Sequence, residues 1–199
     1  MRPSAKTDAL LAVDAALRPT GFVRCGHVWL QERGDGVRGW LGFGVTGSLE
    51  LTPLVGVCFR RYDEVCRALG VGLPATPVTS TPLGHLMGDK PVWRWTFTPG
   101  GDHAGIASAL VDTFLRHGKP YIDRCATWDA LSRELVAKPE SLLDFERARK
   151  LAIIHVLDGN AAAAGEVLAE ERERVADSGD VHARSYRAFA RRFELMFPA

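Results

Sequence analysis

The chain has 199 residues, of which 46% are hydrophobic and 25% charged. It is long enough to bury a core, and its composition excludes the disordered and fibrous classes. Lys and Arg number 25 against 24 Asp and Glu, a formal net charge of +1. Neither portion is lopsided, with 16 basic against 14 acidic residues in 1–140 and 9 against 10 in 141–199. Binding through many phosphates calls for a basic surplus, so nucleic acid is not an expected partner.

Residues 4–18 read as an amphipathic helix, with Ser4 or Thr7 as cap, Leu10, Leu11, Val13 and Leu17 as apolar positions, and Pro19 as terminator. "GFVRCGHVWLQER" reads as extended, and "GDG" at 34–36 is a hairpin signal. Val37, Gly39, Leu41, Phe43 and Val45 alternate at period two, as do Leu49, Leu51, Pro53, Val55, Val57 and Phe59. These three runs predict an antiparallel meander with one apolar face. Pro53 cannot donate to a ladder and predicts an edge or a bulge. A short helix over 61–69 ends at Gly70.

"GVGLPATPVTSTPLGHLMGDKP", residues 70–91, has no periodicity and is rich in Pro and Gly. Loops of this length inside compact domains often serve binding. Trp93, Trp95 and Phe97 then alternate with Arg94, Thr96 and Thr98 between Pro91 and "PGG". That pattern predicts a fourth, half-buried strand whose aromatic side joins the core, with Arg94 on the opposite face. Asp102 is a suitable cap for a helix striped by Ile106, Leu110 and Phe114; Gly118 is read as its stop and Pro120 as a bar to restarting. A further helix, capped near Thr127, runs to about Val136.

The expected fold is α+β: a small antiparallel sheet, three-strand meander plus a fourth strand, with helices on one face. This domain occupies 1–138, and 139–199 form a C-terminal extension of three helices packed on it. Ser141 with Asp144 is a capping-box variant before "LLDFERARKLAIIHVLD", which Gly159 closes. Asn160 opens the next helix, and "SGD" turns into the last, 181–196.

Chemistry-bearing clusters are sparse. The six histidines stand far apart without H-x-x-x-H, and Cys25, Cys58, Cys66 and Cys125 form no C-x-x-C pair. No metal site and no cofactor are therefore expected. His155, set among Ile153, Ile154, Val156 and Leu157, reads as a buried, hydrogen-bonded histidine. There is no G-x-S-x-G, and the glycines of "GDGVRGWLGFG" sit in a hairpin, where they cradle no phosphate. No catalytic residue is assigned. The N-terminus lacks a signal-peptide core and no apolar run could span a bilayer, so a cytoplasmic protein with free thiols and no membrane partner is expected.

On the last helix, Arg184, Arg187 and Arg191 fall within about 60° of one another at roughly 100° per residue. Tyr186, Phe189, Phe193 and Met196 gather opposite. The arginine side reads as solvated and able to meet an acidic partner or phosphate. Arg60 and Arg61, where the third strand ends, form a second basic patch.

The segments "LRPTGFVRCGHVWLQ", "GVCFRRYDEVCRAL", "TSTPLGHLM", "VWRWTF", "LRHGKPYIDRCATWDALSREL" and "DVHARSYRAFARRFE", in order along most of the chain, resemble bacterial proteins related to DUF4304-like domains. The resemblance implies an α+β domain without an established activity, and no site residue can be carried over. The family pattern leads one to expect an aromatic after "PLG", where this chain has His85.

The function expected from these features is a non-catalytic binding module acting through contacts with another protein, of immunity or accessory type. The alternative is a small-ligand-binding protein or enzyme with a cleft between the sheet and loop 70–91, its polar groups being His85, Asp89, Arg94 and Arg60.

Overall fold

The computed structural model describes residues 5–46, 49–71, 76–88, 93–137 and 142–198. The chain clusters into two compact units, one of residues 1–58 and 79–124, the other of 59–78 and 125–199. The 59–78 segment clusters with the C-terminal helices, so a single cut near residue 138 does not describe the division.

The first unit is α+β. Helix α1 (Ala5–Leu17) leads into strands β1 (Val23–Cys25), β2 (Val28–Glu32), β3 (Val37–Val45) and β4 (Glu50–Phe59). The run from 21 to 33, read as one extended segment, is folded back on itself: Cys25 pairs with Val28, and Gly26 turns the chain at φ +63°. At "GDG" all three residues have positive φ, and the Arg33 amide donates to the Val37 carbonyl at 2.9 Å. The sheet runs β1-β2-β3-β4-β5, where β5 is Thr79–Pro82, and β6, Trp95–Thr96, also pairs with β4; the β1–β2, β2–β3, β4–β5 and β4–β6 pairings are antiparallel.

Strand β5 (Thr79–Pro82) is a correction to the aperiodic reading of 70–91. It pairs with Leu54–Val57, and residues 83–87 follow as a 3₁₀ turn. A four-residue strand carries too little alternation to announce itself; its ladder to β4 makes it. Strand β6 is only Trp95–Thr96, paired with Leu51 and Glu50. Trp95 and Phe97 are buried as expected, whereas Trp93 lies before the strand and is half-buried. Pro53, which has no N–H, falls between the stretch of β4 that pairs with β6 and the stretch that pairs with β5. It needs neither a sheet edge nor exposure, and its side chain is buried.

The sequence reading ends helix α3 (His103–Thr113) at Gly118 and bars a restart at Pro120, yet helix α4 (Lys119–Arg124) follows at once. Residues 114–118 form a π turn that joins them, with the Lys119 amide donating to the Phe114 carbonyl. A π turn shifts the hydrogen-bond ladder by one residue, a setting in which Pro120 lacks little. Gly118 serves packing. A Cβ there would lie 3.1 Å from Val55 Cγ2 and 2.6 Å from Phe114 Cδ2, so its absence lets the helix close on the sheet. Gly39 does the same on β3, where a Cβ would meet Ile122 of α4 at 3.2 Å.

These contacts put the helices on the sheet face that carries Trp29, Gly39, Leu41 and Val55. Trp29 is fully buried there, donating its indole N–H to Asp14 of α1 at 3.0 Å and meeting Phe43 edge-on at 5.2 Å.

The second unit is helical. It holds α2 (Arg60–Ala68), α5 (Trp128–Ala137), α6 (Asp144–Leu157), α7 (Ala161–Arg174) and α8 (Val181–Met196). Caps follow sequence: the Asn160 and Asp180 side chains accept from the amides of Ala163 at 3.0 Å and Ala183 at 2.8 Å. Ser141, read as part of a capping box, lies outside the described residues, and Leu143 at the start of α6 offers no side-chain cap. The core gathers Leu151, Ala152, Ile153 and Ile154 of α6 with Tyr186, Phe189 and Phe193 of α8. Met196, expected beside those aromatics, is exposed because α8 ends there. His155 is half-buried rather than buried.

Candidate functional site

The predicted binding residues do not form one site. Arg60 and Arg61 open α2 in the second unit, both exposed. The preceding Phe59 is buried and stacks on Trp128 at 4.2 Å, which fixes where the helix starts. His85 is exposed on the 3₁₀ turn of the first unit. Arg94 is exposed too and binds Glu50 at 2.9 Å, so its charge is engaged on the sheet surface. Asp89 lies outside the described residues.

The arginine stripe of α8 also separates. Arg187 is half-buried and donates to the carbonyls of Val175 at 2.7 Å and Ser178 at 3.0 Å, closing the end of α7. Arg184 reaches the Gly179 carbonyl. Both satisfy carbonyls that follow a helix; this corrects the reading of Arg187 as solvated, while Arg184 remains exposed. Arg191 is exposed.

Two clusters escaped the sequence reading. In the first, Tyr62 and Cys66 stand one turn apart on α2, both buried, near Lys150 of α6. The Lys150 ammonium donates to the Val78 carbonyl at 2.7 Å. Burial pushes the Cys66 thiol up to about 11, against a lowering hydrogen bond from Tyr62. Burial likewise pushes the Tyr62 hydroxyl well up and the Lys150 ammonium down. A thiol held in its neutral form is a poor nucleophile.

The expected consequence is measurable. At pH 8 an aromatic disulfide reagent should modify exposed Cys25 quickly, and buried Cys58, Cys66 and Cys125 on the order of 100-fold more slowly. Unfolding should release all four. Rapid modification of a Cys25→Ser variant would contradict this. Because its folded pKa is raised, Cys66 contributes stability below the ordinary thiol value of about 8.5. That contribution is lost as pH climbs towards about 11.

In the second cluster, Arg149 of α6 lies against three rings of the second unit. Its guanidinium carbon is 5.2 Å from the Phe145 centroid, 5.5 Å from Phe189 and 6.0 Å from Tyr186. Its Nη2 donates to Ser185 Oγ at 2.9 Å. The only advance signal was the i, i+4 spacing of Phe145 and Arg149; the two rings of α8 arrive through tertiary packing.

The remaining feature is a sheet face. Register places Val23, Leu30 and Trp40 in one row and Cys25, Val28 and Gly42 in the next. This is the face opposite Trp29 and Leu41, because neighbouring residues of a strand alternate. Val23 is 70% exposed, Cys25 is exposed, and Val28 and Leu30 are half-buried. The Trp40 ring, itself buried, covers Gly42 and leaves no room for a Cβ there.

Among the described residues no group of three or more His, Cys, Asp or Glu could hold a metal ion, and no helix is long and apolar enough to cross a membrane. No protein-family model, curated protein or solved structure matches this chain.

Proposed function

We propose that this chain is a non-catalytic binding module that engages another protein, an accessory or immunity-type factor working in the cytoplasm. One observation carries the reading: the outer face of the β1–β2 hairpin is apolar where a solvated antiparallel sheet is normally polar. Val23, Val28 and Leu30 share that face, and Val23 keeps 70% of its surface in water. Contiguous exposed apolar side chains are a property of contact surfaces. The edge itself is a poor place for strand addition, since β1 has three residues and carries Arg24. The face is therefore the binding element, and its occupant a protein with a complementary apolar patch.

The raised thiol of Cys66 and the engagement of Arg94 with Glu50 support a binding role over a reactive one. The resemblance to DUF4304-like domains accords with this reading, since it implies an α+β domain without an established activity.

The test is affinity capture from the native host with wild type and with Val23→Glu, whose exposed position leaves the core intact. A protein retained by wild type and lost with Val23→Glu is the expected result. Equal recovery with both, or no recovery alongside turnover of a metabolite by the purified chain, would overturn the reading.

A further inference from the structure

We propose that Arg149, Ser185 and Arg192 form a binding site for a phosphate group on the surface of the second unit. Ser185 and Arg192 are seven residues apart on α8, hence roughly 20° apart around the helix and on one side of it. Arg149 of α6 meets that side at both levels, through its bond to Ser185 Oγ at 2.9 Å and through the Phe189 ring at 5.5 Å. Phe189 is one turn before Arg192, so the second guanidinium stands next along the same face. Arg192 leans on the end of α2, where its Nη1 would be 2.8 Å from a Cβ placed on Gly70.

The charge here is incompletely answered. Arg149 Nε is buried with no hydrogen-bond partner. Burial lowers the Arg149 pKa, and the like charge of Arg192 lowers it further. Nearby carboxylates are shared with other arginines: Glu194 grips Arg172 at 2.6 Å, Asp144 grips Arg147 at 2.6 Å, and Glu171 grips Arg174 at 2.6 Å while still attracting Arg149. Glu146, one turn before Arg149 and Lys150, attracts both. Glu146 and Glu171 are thus each shared between two cations.

Two guanidinium groups and a hydroxyl suit a tetrahedral dianion, whose several oxygens can each accept a charge-assisted bond. Ser185 and Arg192 are exposed, so the anion enters from solvent. The three rings hold the Arg149 guanidinium in place and keep water from one side of it.

The probe is inorganic phosphate, titrated calorimetrically at low ionic strength into the full chain and into Arg192→Gln and Arg191→Gln. Both substitutions are at exposed positions, remove one charge and leave the core untouched. Residue 191 points roughly 100° away around the helix. Saturable binding that weakens about tenfold in Arg192→Gln and is unchanged in Arg191→Gln is expected, one charge-assisted contact being worth about that factor. No saturable binding overturns the site. So does equal affinity in Arg192→Gln, or an equal loss in both variants, which would mark general charge attraction.

Discussion

Replacing Trp29 by alanine should lower the free energy of unfolding by about 3–5 kcal/mol, the range for a fully buried large aromatic. The indole has no exposed surface, and it is the meeting point of three elements. Its N–H reaches Asp14 of α1 at 3.0 Å, its ring meets Phe43 of β3 edge-on, and Arg24 of β1 lies 5.3 Å from its centroid. Removing it leaves a void under α1 and strips Asp14 of a donor, although Arg18 still pairs with that carboxylate at 3.3 Å. Urea titration followed by far-ultraviolet circular dichroism measures the loss. Trp29→Phe should recover most of it, because the ring is kept and only the bond to Asp14 is missing, a difference of about 1 kcal/mol. A loss below about 1 kcal/mol for Trp29→Ala would mean that the sheet does not use this residue as its anchor to α1.

The second large effect is expected at Phe189. It is fully buried and touches Tyr186 and Phe193 on its own helix, at 6.1 and 5.8 Å between centroids. It also faces the Arg149 guanidinium of α6. Phe189→Ala should cost about 3–5 kcal/mol through the cavity alone. Part of the ring contact to a partly desolvated cation is lost as well, about 0.5–2 kcal/mol. A double-mutant cycle with Arg149→Met separates the two contributions, since methionine keeps much of the volume without the charge. Additive losses would show that the guanidinium gains nothing from the ring. A coupling of about 1 kcal/mol is the expected outcome.

Local pattern was sufficient wherever an element is long and carries its own ends. Helix α8 occupies 181–196 as read, because Asp180 supplies the cap and the apolar residues recur at helical spacing. Strands β3 and β4 run for nine and ten residues with an apolar residue or glycine at nearly every second position, enough for the period to be read, although stretches of each are buried on both faces. The buried Trp95 and Phe97 followed from the same alternation. Each of these depends on interactions within a few residues, which the order of side chains encodes directly.

The misread positions depend on distant parts of the chain. Gly118 looked like a helix stop, and part of its reason is Val55, more than sixty residues earlier, which packs 3.1 Å from where its Cβ would stand, beside the Phe114 ring. Thr79–Pro82 looked aperiodic because its strand exists only against Leu54–Val57. Arg187 looked solvated because the carbonyls of Val175 and Ser178, which claim it, lie beyond the turn before α8.

The candidate sites follow the same rule. The stripe read on α8 was Arg184, Arg187 and Arg191, whereas the α8 arginine whose charge reaches Arg149 is Arg192. Arg149 and Ser185 sit on different helices, and the apolar hairpin face emerges only when Val23, Leu30 and Trp40 fall in register. Composition and periodicity specify which segments become helix or strand, since propensity, capping and burial of one face act over a turn or two. Which groups meet, and which charges stay unanswered, was decided by close packing between segments far apart in sequence, whose geometry no local pattern contains.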